Sequence, residues 1–224
     1  MMLSNFQEKL DQINQMMQDL ALMIQEGERL CFEGFKTKDM QILDTARETV
    51  KGCRIKANEI DNEIIKTLAL YGPEATELRE MVGYLKITNE LVNTAGSIRS
   101  YVKHNKALIA GDFDMSSMES SFIPLHQSAL NSIKHMVDMI ALNKSEEDVR
   151  SLYRSIKVEE SKGDDLYSIV QKDISEMLYQ IDMDPLDFMT VLKLARKLEN
   201  ISDHAVNIAK LLLFIKTGGE LESY

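Results

Sequence analysis

The sequence predicts an all-α protein built as two tandem antiparallel three-helix bundles related by an internal repeat. Three observations lead there. Only 3 prolines and 10 glycines punctuate 224 residues, too few for the turns of an all-β chain. Apolar residues recur in steps of three and four over six long segments, the spacing that keeps side chains on one helix face. The third and sixth segments share that register at an offset of 107 residues, so that Leu85, Leu91 and Val102 meet Leu192, Leu198 and Ala209.

The segments follow in order. Residues 3–30 carry Leu3, Phe6, Leu10, Ile13, Met16/Met17, Leu20 and Ile24 on one face. Residues 38–71 continue with Ile42, Ala46, Cys53, Ala57, Ile60 and Ile64 as a second helix, which Tyr71-Gly72-Pro73 closes. A third helix, 74–110, carries Leu78, Met81, Leu85, Leu91, Ala95 and Val102. Gly111 to Ser121 has no sustained apolar period and reads as the linker between units 1–110 and 122–219. Pro124 opens a fourth helix, 124–143, which Asn143-Lys144 interrupts. Ser145 with its acidic first turn starts a fifth, 146–181, running through Ile156, Gly163, Val170, Ile174 and Ile181. Asp184-Pro185 starts the sixth, which ends near Gly218-Gly219. The second and fifth helices pair less closely, with Asp61 facing Asp164 at an offset of 103. A single six-helix bundle is the alternative packing that periodicity leaves open.

Composition narrows the function classes. The net charge of −10 argues against a nucleic-acid binder, which needs a basic surface to displace counterions. The acidity is uneven: −3 in residues 1–112 and −7 in 113–224. No apolar run reaches the roughly 18 residues of a membrane-spanning helix, and the first residues lack a signal-peptide pattern, so the expected compartment is the cytoplasm. Cys31 and Cys53 lack a metal or redox spacing and read as small apolar filler. The 14 methionines read mainly as core gap-fillers, with an adaptable binding face at Met16, Met17 and Met23 as the lesser reading.

The sixth helix contains Leu198-Glu199-Asn200-Ile201-Ser202-Asp203-His204-Ala205-Val206-Asn207-Ile208-Ala209. This closely resembles a signature of the PhoU family, from which Asn200 and Ser202 depart where Arg and Gly are usual. The run from Gly72 to Leu91 and the stretch Asn58 to Ile64 are similar to the family's first repeat, so the resemblance spans nearly the whole chain. It implies a fold of two three-helix bundles. It also implies a regulatory role: an adaptor linking the ATPase subunit of a phosphate transporter to a membrane sensor histidine kinase, repressing phosphate uptake and the phosphate-starvation response. The implied protein is a homodimer, is not an enzyme, binds no nucleic acid, and meets the membrane only through its partners. Service to a low-affinity phosphate transporter is the alternative within that class.

Two acid pairs are the candidate site. Glu160 and Asp164, and Glu199 and Asp203, are each spaced i,i+4 and lie one turn apart on their helices. Each pair sits beside its apolar seam, on the bundle's flank. Like charges so placed cost about 0.2–0.5 kcal/mol per pair, and a hard cation reverses that cost. Spacing alone equally suits a solvated acidic face. The resemblance favours a metal centre of iron or zinc, with Mg or Mn as alternatives, held by Glu160, Asp164, Glu199 and Asp203. In the first repeat the matching positions are Ala57, Asp61, Val92 and Gly96, so no cluster is expected there. His204 reads as an interface residue, because adjacent helix positions point about 100° apart; His104, His126 and His135 read as surface or packing residues. A carboxylate-bridged metal enzyme is the rival class, but such sites use Glu-x-x-His. The residues three before the histidines are Tyr101, Ile123, Ser132 and Ile201.

Overall fold

A computed structural model describes residues 2–73, 75–141, 145–180 and 184–218. Seven α-helices and no strands occur among them: α1 (Met2–Thr37), α2 (Met40–Thr49), α3 (Cys53–Tyr71), α4 (Ala75–Ala110), α5 (Glu119–Ile140), α6 (Glu146–Gln180) and α7 (Pro185–Thr217). The side chain of Leu3, the Asn143-Lys144 break, Ile181 and Gly219 lie outside the described residues or side chains. No described helix is long and apolar enough to cross a membrane.

α1 outruns its expected end because Cys31, Phe32 and Phe35 keep its buried stripe going. The single helix expected over 38–71 is two helices. Lys38 turns the chain in the left-handed region (φ 55°), and the Asp39 carboxylate then caps α2 by accepting from the amides of Gln41 and Ile42 at 2.7 and 3.3 Å. The break falls at Val50-Lys51-Gly52, where β-branched Thr49 and Val50 and then a glycine lower helix propensity. The break seats Val50 on α1, so close that a Cβ on Gly27 would lie 2.4 Å from a Val50 methyl.

Other boundaries obey local chemistry. Gly72 closes α3 in the left-handed region (φ 53°), its amide donating to the Leu68 carbonyl. Ser145 and Asp148 form a reciprocal cap on α6, each side chain accepting from the other's amide at 3.1 and 3.0 Å. Asp184 caps α7, which starts at Pro185, and Gly218 ends it (φ 74°). The linker is shorter than expected. A 3₁₀ turn at Ser116–Met118 leads into α5 at Glu119, and Pro124 sits inside that helix, because Met118, Ser121 and Phe122 are buried and hold the earlier turn in place.

α1 to α4 form one antiparallel bundle, with α2 and α3 sharing one leg, and α5 to α7 form the other. The bundles also pack on each other, α4 along α7 and α1 along α5, so one continuous core runs through both. α4 and α7 run antiparallel: Gly83 lies against Ile215, Glu90 against His204 and Arg79 against Gly218. Met17 is core, and Met16 and Met23 pack against it, so these methionines fill gaps. Cys31 and Cys53 are buried free thiols, and burial raises both, Cys53 to about 11.

Candidate functional site

The acidic flank is built by close approach of α5, α6 and α7. Gly163 of α6 is buried, and a Cβ there would meet the Ser128 hydroxyl of α5 at 3.5 Å and that of Ser202 of α7 at 3.9 Å. Three small residues thus let three helices close up. The Ser128 hydroxyl donates to the Glu159 carbonyl at 2.5 Å and fixes α6 on α5. Asp164 follows Gly163, Asp203 follows Ser202 and Glu199 follows Leu198, so the seam aims all three acids along one flank.

Asp164, Glu199 and Asp203 each feel the charge of another acid of the flank. Burial raises Asp203 above the usual carboxylate range, and repulsion from Asp164 and Glu160 across the helix pair raises it further. Burial likewise raises Glu199, with repulsion from Asp203 and Asp164 opposed by Arg196. Asp164, although largely exposed, is raised by partial desolvation and by Glu160. Two cations already sit on this face. Lys157 pairs with Glu160 at 2.9 Å, and Arg196 pairs with Glu199 while reaching toward the Tyr167 ring. Four acids against two bases leave the patch negative. As the side chains stand, no three His, Cys, Asp or Glu groups among the described residues converge closely enough to hold a metal ion. The donor chemistry suits a hard cation, but Glu160 and Glu199 must first leave their basic partners.

The equivalent flank of the first bundle is different. Ala57 and Val92 are buried, and Gly96 is half-buried. Asp61, the one remaining acid, accepts a hydrogen bond from the Thr88 hydroxyl of α4 at 2.6 Å. It ties α3 to α4 instead of facing another carboxylate.

His204 is an interface residue. Its Nδ1 lies 2.8 Å from a Glu90 oxygen, bridging the two bundles along the α4–α7 seam. His104 and His135 are half-buried, whereas His126 is wholly buried. Sequence reasoning overlooked the partner of His126, Glu28 of α1, which is also wholly buried. The signal was present: Ile24, Glu28, Cys31 and Phe35 continue the apolar stripe in steps of four, three and four, with an acid in it.

The described residues therefore form an all-helical, two-bundle protein with an acidic flank on its second bundle. Residues 125–212 match the PhoU domain. The chain is 29% identical over 172 residues to the phosphate-specific transport system accessory protein PhoU homolog of Caulobacter vibrioides, covering 74% of this chain and 70% of that one. It is 24% identical over 162 residues to the homolog of Rhizobium meliloti, covering 72% of this chain and 66% of that one. Its fold is that of the PhoU crystal structure from Pseudomonas aeruginosa, with a TM-score of 0.87 at 17% identity over 96% of this chain and 100% of that one. The PhoU regulatory protein of the phosphate transport system from Streptococcus pneumoniae gives a TM-score of 0.82 at 16% identity, over 98% and 100%. The chain is thus similar to PhoU proteins in sequence over most of its length and shares their fold.

Proposed function

We propose that this chain is an accessory protein of phosphate-specific transport, acting as a non-catalytic adaptor. In this reading it couples the ATPase subunit of a phosphate transporter to a sensor histidine kinase, and represses phosphate uptake and the phosphate-starvation response when phosphate is plentiful. It works in the cytoplasm as a homodimer and reaches the membrane through those partners. The observation that carries the reading is similarity to phosphate-transport accessory proteins over some three-quarters of the chain (74%). The architecture is consistent with it: an adaptor needs a long, stiff frame, and α1, α4 and α6 supply helices of 36, 36 and 35 residues.

The acidic flank belongs to this proposal as a metal centre of iron or zinc. Glu160, Asp164, Glu199 and Asp203 would hold the ion. A bound cation would neutralise the acids and brace α6 to α7. Burial, and after it repulsion between neighbouring acids, raises Asp164, Glu199 and Asp203, and a cation there would relieve that repulsion.

Deleting the gene and following a phosphate-starvation reporter tests the regulatory reading. The expected result is a reporter switched on at high phosphate; a reporter that stays off sinks it. Retention of a phosphate-transporter ATPase subunit and a sensor kinase on the immobilised chain is the matching biochemical result. Metal analysis of chain purified without chelator, beside a Glu199→Ala/Asp203→Ala variant, tests the metal centre separately. Bound iron or zinc that falls by half or more in the variant is expected; equal content removes the centre and leaves the adaptor reading intact.

A further inference from the structure

Glu28 of α1, Tyr101 of α4 and His126 of α5 meet where the bundles join, each with 0% exposure. The Tyr101 hydroxyl lies 3.1 Å from His126 Nδ1, and His126 Nε2 lies 2.9 Å from Glu28 Oε1. That second approach is close but poorly aligned, so Nε2 and both Glu28 oxygens make no hydrogen bond within the protein. Phe32 and Phe35 wall the cluster from outside, their ring centres 4.8 and 6.0 Å from the imidazole. Burial raises the Cys31 thiol and the Tyr101 hydroxyl, and the nearby Glu28 carboxylate raises both further. One turn along α4, Asn105 is 4% exposed with its Nδ2 also unpaired. Phe35 and Asn105 line a cavity of about 270 Å³ whose wall also includes the charged residues Lys38, Asp112, Asp114 and Glu119.

Ser132 Oγ and Glu159 Oε2 are also buried without a hydrogen-bond partner, but the other four such atoms among the described residues gather at this cluster and at Asn105. The Ser128 hydroxyl pins α6 to α5, and His204 meets Glu90 on the α4–α7 seam. Polar groups buried without partners favour any arrangement that hydrates or realigns them. The local backbone permits one. Pro124 removes an amide from the second turn of α5 and frees the Ser120 carbonyl, and Asp112 in the preceding linker already sits at φ 53°.

We propose that the seat of the N-terminal half of α5 on α1 and α4 is the movable joint of this protein. Residues 119–127 swing from Glu28 and Tyr101, admitting water to the cluster, while Ser128 stays bonded to the Glu159 carbonyl and the α4–α7 seam stays shut. The cavity beside Phe35 and Asn105 gives the moving turn room. This inference is independent of any role in phosphate transport, because it rests only on burial, pairing and backbone.

Amide hydrogen exchange on the full chain, read by mass spectrometry, tests it. Residues 124–130 should exchange at least about tenfold faster than residues 131–137 of the same helix, after correction for intrinsic rates. Replacing the cluster together (Glu28→Met, Tyr101→Phe, His126→Leu) should slow residues 124–130 about tenfold and leave peptides from the centres of α4 and α7 unchanged. Equal exchange of the two halves of α5 in the unaltered protein overturns the proposal. So does a folded triple variant with unchanged exchange, or a triple variant that fails to fold, since the cluster would then be a support and not a weak point.

Discussion

The two bundles share an apolar register and differ in what flanks it. In the second, Gly163, Ser128 and Ser202 let α5, α6 and α7 close up, and acids crowd the edge of the seam. In the first, Ile60 occupies the position matching Gly163, and Asp61 reaches across to Thr88 as a plain interhelix tie. The legs differ too: α6 is one helix of 35 residues, whereas α2 and α3 share the corresponding leg around the break at Val50-Gly52. A repeated core constrains the inward face of each helix, because buried volume must be refilled. The flank carries no such constraint, so one copy can gather charge while the other spends its acid on packing.

The largest effects should follow from the matched core positions. Ile60→Ala is expected to lose about 2–5 kcal/mol of stability in urea unfolding, by transfer and cavity costs. Gly163→Ala should stay within about 1 kcal/mol of the unaltered protein, since its new methyl meets Ser128 at an ordinary 3.5 Å and helix propensity improves. A Gly163→Ala loss as large as that of Ile60→Ala would mean that close helix approach does not set this flank.

The matched acids should differ in sign. Asp61→Ala removes the interhelix acceptor of the Thr88 hydroxyl, leaving it the Leu85 carbonyl, and should cost about 1–1.5 kcal/mol. Asp164→Ala relieves repulsion and should leave stability unchanged or slightly raised. Equal losses at the two positions would erase the contrast between bundles.

Acidity sharpens the comparison further. Asp164, Glu199 and Asp203 are all raised in the folded chain, so at intermediate pH the folded state holds more protons than the unfolded one. Their contribution is present in full below the unfolded carboxylate range, about pH 4, and is lost as pH rises through their folded values. An Asp164→Asn/Asp203→Asn variant should therefore gain on the unaltered protein as pH climbs from about 4 to 7. Parallel urea midpoints across that range would show that Asp164 and Asp203 are not raised in the folded chain. A modest loss is expected at the seam between bundles: His204→Ala, losing its contact with half-buried Glu90, should cost about 0.5–1.5 kcal/mol in the same unfolding measurement.

The helices themselves were largely legible in the sequence. Spacing of Leu85, Leu91 and Val102 against Leu192, Leu198 and Ala209 exposed the repeat, and Gly72, Ser145 and Asp184 marked real boundaries. Two boundaries were not legible. The α2–α3 break follows from Val50 seating on α1, a contact remote in sequence. The early start of α5 follows from burial of Met118 and Phe122 across the bundle junction. For the acid flank, i,i+4 spacing indicated which pairs stack on one helix. It said nothing of Lys157 and Arg196, which now compensate two of the four acids.

Periodicity, caps and the Leu198–Ala209 motif by themselves determined an all-helical chain, its duplicated register and the helix flanks that carry acid, because those properties depend on residues within a turn or two of each other. Only the tertiary structure decided that Glu28 would lie buried against His126, that His204 would bridge to Glu90, and that each candidate acid would meet a neighbour or a basic partner. Such pairings join residues far apart in the chain, and the free energy that selects them comes from burial and charge compensation across packed helices.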